Sequence, residues 1–157
     1  MIPDKNIQRK YAFQNYDPNW TKKFDEIKLF LQSVFKDKTL KIEHVGSTSI
    51  PNMKAKPIID VLVVIEKMED FAEEKQKMIS AGYEWGENYI APNTLIFYKM
   101  ADDGSKTENI HICESGSPKE KQFLVMRNFI LNTPKRCTDP VRIESMLFQT
   151  YLFSYYY

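Results

Sequence analysis

The stretch 42–65, IEHVGSTSIPNMKAKPIIDVLVVI, decides how the rest of the chain is arranged. A short alternating run is interrupted by a Gly-Ser-Thr-Ser segment that begins at Gly46. After a loop bounded by prolines, the run 58–65 is short, continuous and rich in β-branched residues, which predicts a strand buried on both faces. An aspartate near the start of such a strand is costly unless a partner compensates its charge. Asp60 and the turn at Gly46 are therefore the first candidates for a functional site.

The composition predicts one globular domain over residues 1–157, long enough to bury a core without disulfide bonds or structural metals. The 22 basic and 21 acidic residues nearly cancel, so no strong field favours nucleic acid or a membrane surface. Cys113 and Cys137 have no metal-binding or redox spacing, and no secretory leader precedes them. We therefore expect reduced thiols and a cytoplasmic protein. No apolar run is long enough to span a bilayer.

Helical and strand patterns alternate along the chain. The helical patterns cover 17–35, 67–81, 118–132 and a stretch from residue 138 onwards, and the strand patterns cover 40–45, 58–65, 83–90, 94–100 and 106–114. The first helix begins at Asp17-Pro18, an acid suited to the N-cap followed by proline at the first helical position. This order predicts an α+β domain in which a mixed sheet carries helices packed on one face.

A glycine-serine turn after a strand leaves backbone amides that can surround phosphate oxygens. Asp60 on the neighbouring strand could then hold a divalent metal that bridges those phosphates. This combination is typical of the nucleotidyltransferase fold. Two plainer readings stay open: Gly46-Ser47 is an ordinary turn, or Asp60 is a structural acid, paired with Lys56 or Arg127 or hydrogen-bonded to the turn.

His44 and His111 are the only histidines, and each lies on a predicted strand next to the candidate cleft. A strand histidine is commonly a core group with its hydrogen bonds satisfied. If both side chains point the same way as Asp60, two imidazoles and one carboxylate would form a metal site.

Spacing along the strand 106–114 predicts which neighbours share the face of His111. Glu108 and Glu114 are an odd number of residues away, so both should face the opposite side. Asn109 and Cys113 should lie on the same face as His111. A second carboxylate beside Asp60 is therefore not expected from this strand.

Two longer motifs carry a resemblance to a known family. Residues 43–51, EHVGSTSIP, and 55–63, AKPIIDVLV, are similar to the signature of the GrpB family. Three shorter motifs fit the same family: YDPNW at 16–20, IHICE at 110–114 and MRNF at 126–129. The resemblance covers roughly residues 10–135. It implies a nucleotidyltransferase-like fold, and some family members are fused to dephospho-CoA kinase.

The function expected from this resemblance is metal-assisted nucleotidyl or phosphoryl transfer to or from a small molecule. In this hypothesis a nucleotide or phosphorylated small molecule is the partner and Mg²⁺ or Mn²⁺ is the cofactor. The expected roles are metal binding and catalysis by Asp60, acid–base catalysis by His111 or His44, and phosphate binding by Gly46, Ser47, Thr48, Lys56 and Arg127.

The alternative is a non-catalytic domain of the same fold that binds nucleotides or small anions. Active nucleotidyltransferases usually carry a second acid two residues after the first, where this chain has Leu62. The family shares that gap, and one carboxylate holds Mg²⁺ poorly. The aromatic stretch 147–157 departs from the family pattern and allows a third reading, a protein-interaction module, with a homodimer as the expected protein partner.

Overall fold

The structure, a computed structural model, describes residues 13–68, 70–87 and 92–133. The elements in chain order are α1 (Asn19–Phe35), β1 (Thr39–Val45), β2 (Ile59–Ile65), α2 (Ala72–Ser80), β3 (Glu84–Glu87), β4 (Thr94–Met100), β5 (Lys106–Glu114) and α3 (Pro118–Asn132). Short 3₁₀ turns follow α1 at Lys36–Lys38 and β1 at Ser47–Ser49.

The element types match the sequence patterns, and the differences lie at the ends. Helix α3 has the predicted bounds, and Ser117 caps it by accepting a hydrogen bond from the Glu120 amide. Helix α2 begins at Ala72 and not at residue 67. The reason is tertiary, because the Met68 amide donates to the Glu114 carboxylate at 2.7 Å and is held outside the helix. The helix predicted from residue 138 onwards lies outside the described residues.

The five strands form one sheet in the order β1-β2-β5-β4-β3. Strands β2 and β5 are parallel, and the other neighbouring pairs are antiparallel. The predicted mixed sheet is therefore confirmed. The parallel pair lies in the interior of the sheet, where covering both faces removes its apolar side chains from water.

One face of β2 packs against α1 and α2. Val61 and Val63, both fully buried, belong to a core that contains Trp20, Leu31 and Phe35 of α1. Met78 of α2 and Phe71 just before it join the same core. Apolar residues recur along α1 at three- and four-residue spacing, so one side of the helix can bury them against this face of the sheet.

The other face of β2 packs against α3. Leu62 and Val64 are fully buried and cluster with Val45 of β1. Phe123 and Leu124 of α3 pack on that cluster. The prediction that the helices share one face is therefore right for α1 and α2 and wrong for α3. A strand that is apolar at consecutive positions, as β2 is from residue 61 to residue 65, must be covered on both sides.

The α3 helix also contacts the segment of the β1–β2 connection that follows the 3₁₀ turn Ser47–Ser49. Ile50 and Met53 are buried against Ile130, and Met126 packs on them. This contact holds the middle of the β1–β2 connection, at residues 50 and 53, against α3. Within the described residues, no helix has both the length and the apolar character needed to cross a membrane.

Two leucines of α1 provide a matched test of this packing. Leu31 is fully buried, whereas Leu29 is 68% exposed in the same helix. Leu31→Ala should lower the free energy of unfolding by about 3 kcal/mol, because it leaves a cavity in the core. Leu29→Ala, with the same change in helix propensity, should cost less than about 0.5 kcal/mol. Urea denaturation measures both, and equal losses would contradict the packing of α1.

Candidate functional site

Asp60 lies at the start of β2, between the end of β1 and the middle of β5. It pairs in register with Val45 on one side and with Asn109 on the other. Its Oδ1 accepts a hydrogen bond from Asn109 Nδ2 at 2.9 Å, and His111 Nε2 lies 3.5 Å from the same oxygen. The Asp60 side chain is 26% exposed. The carboxylate is thus held by two neighbours while part of it remains open to solvent.

The Gly46 bend lies directly against this carboxylate. A Cβ built on Gly46 would lie 2.6 Å from Asp60 Oδ2, closer than real Cβ contacts come. Gly46 also has a φ of +72°, a conformation that side chains with a Cβ rarely adopt. Glycine is required here for two separate reasons, the backbone turn and the approach of Asp60.

The rest of the bend is fixed by its own hydroxyl groups. Ser49 Oγ donates to the Gly46 carbonyl at 2.6 Å. Thr48 is buried, and its Oγ1 donates to the Ile58 carbonyl at 3.0 Å. The Thr48 hydroxyl therefore ties the bend to Ile58, the residue just before β2. In the part of the chain that the structure describes, the Ser47 side chain makes no hydrogen bond, so its hydroxyl is the one in the bend that a ligand could engage.

His44 lies on the opposite face of the sheet from Asp60. It pairs with Val61, and its ring stacks on Phe24 of α1 with centroids 4.8 Å apart. Its Nε2 lies 3.0 Å from Thr48 Oγ1, whose proton goes to a carbonyl, so His44 Nε2 is the donor. Burial lowers the pKa of His44 to about 4, which keeps the ring neutral at pH 7.

His111, by contrast, shares the face of Asp60. Its side chain is buried under α3, with the Phe123 ring centroid 4.7 Å away. The hypothesis of a metal site with two imidazoles is wrong, because adjacent residues of a strand alternate between faces. His44 precedes Val45, which pairs with Asp60, whereas His111 pairs with Leu62 on the Asp60 face.

Neither basic residue of the hypothesis forms an ion pair with Asp60 within the described residues. Arg127 Nη1 donates to Glu43 Oε2 at 2.8 Å and to the His44 carbonyl at 3.0 Å, which clamps α3 onto β1. The Lys56 ammonium lies 5.4 Å from the centroid of the Phe13 ring. The reading in which Arg127 neutralises Asp60 is therefore wrong. Phosphate binding by Lys56 and Arg127 stays a prediction.

The spacing argument for β5 is confirmed. Glu108 accepts a hydrogen bond from the Tyr83 hydroxyl on the α1 and α2 face, and burial and this carboxylate raise the pKa of Tyr83. Glu114 is engaged by the Met68 amide. Within residues 13–68, 70–87 and 92–133, no group of three His, Cys, Asp or Glu side chains could hold a metal ion.

Two features of the site around Asp60 could not be found from the sequence. Asn109 was placed on the right face by its spacing, but only the register of β2 against β5 makes it the hydrogen-bond donor to Asp60. Lys119, in the first turn of α3, is buried with its Nζ 2.8 Å from Gln122 Oε1, and burial lowers its pKa to about 8. No spacing in the sequence signals that burial, because Lys119 lies beside residues of β4 and β5 that are distant from it in the chain.

Two polar side-chain atoms of the site are buried without a hydrogen bond within the described residues. They are Asn109 Oδ1 and His111 Nδ1, and neither has a partner within the described chain. Buried polar atoms of this kind carry a desolvation cost. A cavity of about 10 Å³, the size of one water molecule, adjoins His111 and Lys119. The described protein groups therefore leave the hydrogen-bonding capacity of these two atoms unused.

The Gly46 contact predicts a specific cost of substitution. Gly46→Ala should lower the free energy of unfolding by about 3 kcal/mol, since it adds the clash with Asp60 to the strain of positive φ. Gly104→Ala is the control, because Gly104 has a φ of +79° and nothing within 4 Å of its Cβ position. It should cost about 1 kcal/mol. Equal costs in urea denaturation would contradict the close approach of Asp60.

His44 predicts a pH dependence of stability. Its pKa is 6.5 when exposed and about 4 in the fold, so the unfolded chain binds the proton first. The contribution of the neutral His44 ring to the free energy of unfolding is therefore complete above pH 6.5 and is lost as the pH falls toward 4. Between pH 7.5 and 4.5 the wild type should lose about 1–2 kcal/mol more than His44→Gln, allowing for partial exposure. Equal losses in urea titrations would contradict a neutral buried His44.

Comparison with known proteins places this geometry in a family. The model of the family described as "GrpB protein" matches residues 10–152. The UPF0157 protein YqkA of Bacillus subtilis (strain 168) is 36% identical over 141 residues, which are 89% of this chain and 40% of that protein. A dephospho-CoA kinase of Mycobacterium tuberculosis (strain ATCC 25618 / H37Rv) is 24% identical over 151 residues, 82% of this chain and 37% of that protein.

The crystal structure of the conserved protein GrpB from Enterococcus faecalis has the same fold. It superimposes with a TM-score of 0.73 at 31% identity, over 79% of this chain and 74% of that one. The α+β, nucleotidyltransferase-like fold is therefore confirmed. The chain spans well under half the length of the two curated relatives named above. With a family model that matches almost the whole sequence, this chain belongs to the GrpB family.

Proposed function

We propose that this chain is a metal-assisted nucleotidyl- or phosphoryl-transferase acting on a small phosphorylated molecule. The observation that carries the proposal is the position of Asp60, a partly exposed carboxylate facing the Gly46 bend. It is held by hydrogen bonds and by no lysine or arginine within the described residues. A carboxylate that is partly exposed and not paired with a basic side chain can bind a cation. An acid in a buried ion pair cannot, because its charge is already compensated.

The residues around Asp60 suggest a division of roles. A divalent ion such as Mg²⁺ or Mn²⁺, when bound, would neutralise phosphate charge and polarise a phosphorus–oxygen bond. Asp60 would hold it, and the bend at Gly46 and Ser47 would contact the phosphate oxygens. His111 is the histidine close enough to act here, either by moving a proton or by binding the metal. Thr48 would support the bend through its hydrogen bond to the Ile58 carbonyl, and phosphate binding by Thr48 stays a prediction.

The alternative function is a domain that binds nucleotides or small anions without transferring a group. Leu62 favours it, because this residue is fully buried under α3 at the position of a second metal-binding acid. Two or three acids normally hold the metals in phosphoryl transfer. The two functions differ in what they demand of a metal, since a simple anion site needs none.

A thermal-shift screen tests both functions. The ligands are the four common nucleoside triphosphates and dephospho-CoA, each with and without Mg²⁺ or Mn²⁺. Dephospho-CoA is included because one relative is called dephospho-CoA kinase. Under the transferase proposal, a ligand at about ten times its Kd should raise the Tm by about 3 °C or more, and only when metal is present.

The matched variants are Asp60→Asn and Asp102→Asn, the second on the exposed turn between β4 and β5. Loss of the metal-dependent shift in Asp60→Asn, with the shift kept in Asp102→Asn, supports the transferase. A shift that needs no metal and survives Asp60→Asn supports the binding domain. The absence of any shift with any of these ligands would contradict both.

A further inference from the structure

We propose that Asp60, Asn109 and His111 together bind one divalent transition-metal ion, such as Mn²⁺, Co²⁺ or Zn²⁺, in preference to Mg²⁺. The inference rests on the proposed function, which places a metal at Asp60, and it specifies the ligands and the kind of metal. Each of the three side chains comes from the same face of two adjacent parallel strands. Strands hold ligands in place more firmly than loops do.

The distances suit a common ion. The terminal nitrogen of Asn109 lies 2.9 Å from Asp60 Oδ1, and His111 Nε2 lies 3.5 Å from it. Two ligand atoms bound to one ion at about 2.1 Å lie roughly 3.0–3.4 Å apart in octahedral or tetrahedral geometry. Asp60 and His111 are therefore close to the spacing that one ion requires, and Asn109 reaches the same oxygen of Asp60 with the end of its amide group.

The Asn109 amide can turn to present its oxygen. Its Nδ2 faces Asp60 because a carboxylate accepts hydrogen bonds and donates none. This orientation leaves Asn109 Oδ1 buried with no donor within the described chain. A half turn of the terminal amide, a soft torsion, exchanges the two atoms and brings Oδ1 toward Asp60. A cation between the two oxygens would then replace the lost hydrogen bond.

The surroundings of His111 allow it to bind metal through Nε2. Metal binding at this nitrogen requires the proton on Nδ1, and in metal sites that second N–H commonly donates to a carbonyl, a carboxylate or a water. Within the described residues His111 Nδ1 has no protein partner, and the ring lines a cavity of about 10 Å³. One water in that cavity could accept the Nδ1 proton.

The donor set determines the choice of metal. Mg²⁺ prefers oxygen ligands in a strict octahedron, whereas imidazole nitrogen suits transition metals. This site offers one carboxylate, one amide oxygen and one imidazole, while Leu62 fills the position where a second acid would attract Mg²⁺. The exposed part of Asp60 leaves coordination positions open for water or for a phosphate oxygen.

Isothermal titration calorimetry and Mn²⁺ electron paramagnetic resonance test the inference with the metal alone. The wild type should bind one Mn²⁺ per chain, and a tenfold excess of Mg²⁺ should not displace it. Asp60→Asn, Asn109→Ala and His111→Gln should each weaken binding at least tenfold. His44→Gln, a histidine on the other face, should bind like the wild type. Circular dichroism verifies that each variant is folded.

Asn109→Asp separates a metal ligand from a simple hydrogen-bond donor. A ligand role predicts Mn²⁺ binding about tenfold tighter, because the variant adds a second carboxylate. A role limited to donating to Asp60 predicts no gain, and that result would overturn the assignment of Asn109. Absence of Mn²⁺ binding, preference for Mg²⁺, or binding unaffected by the three weakening substitutions would overturn the inference as a whole.

The inference and the proposed function can fail separately. Nucleotide shifts that depend on Mg²⁺ through Asp60, without Mn²⁺ binding by the protein alone, would overturn the inference and leave the transferase proposal standing. One bound Mn²⁺ with no response to any nucleotide would support the inference and contradict the proposed function.

Discussion

The apolar character of β2 on both of its faces is the constraint on which the rest of the structure depends. Residues 61–65 are almost wholly buried, so neither face of the strand can be left to solvent. Helices α1 and α2 cover one side and α3 covers the other. Asp60 is the one polar residue of the strand, and it lies where this cover ends. The candidate site is thus the part of β2 that the helices leave partly exposed to solvent.

The polar groups at this site are organised by alternation across the sheet. Asp60, Asn109 and His111 all project toward α3, whereas His44 projects toward α1 and becomes part of the core. The site therefore has a single carboxylate, and two polar atoms beside it, Asn109 Oδ1 and His111 Nδ1, are buried without a partner in the described chain. Under the proposed function, a cation bound at Asp60 would supply the positive charge that an anionic substrate needs. Asp60 and the Gly46 bend lie so close together that a side chain at Gly46 would clash with the Asp60 carboxylate.

Much of this arrangement could be predicted from local periodicity. The strand spacing placed Glu108 and Asn109 on opposite faces, and the structure agrees. The bounds of α3 followed from Ser117 and Pro118 at its start. The partner of Arg127 could not be predicted, because Glu43 is 84 residues away along the chain and only the docking of α3 brings the two together. The same docking buries Lys119.

The sequence by itself determined the types of the elements, the fully buried central strand, the glycine at the bend and the family to which the chain belongs. The element types, the buried strand and the glycine depend on side-chain period and backbone preference, which are properties of neighbouring residues. The family follows from the motifs at 43–51 and 55–63. Only the tertiary structure decided that α3 covers the second face, that His44 leaves the site and that Asn109 enters it. Those outcomes depend on strand register and helix docking, which join residues far apart in the chain and which no local pattern encodes.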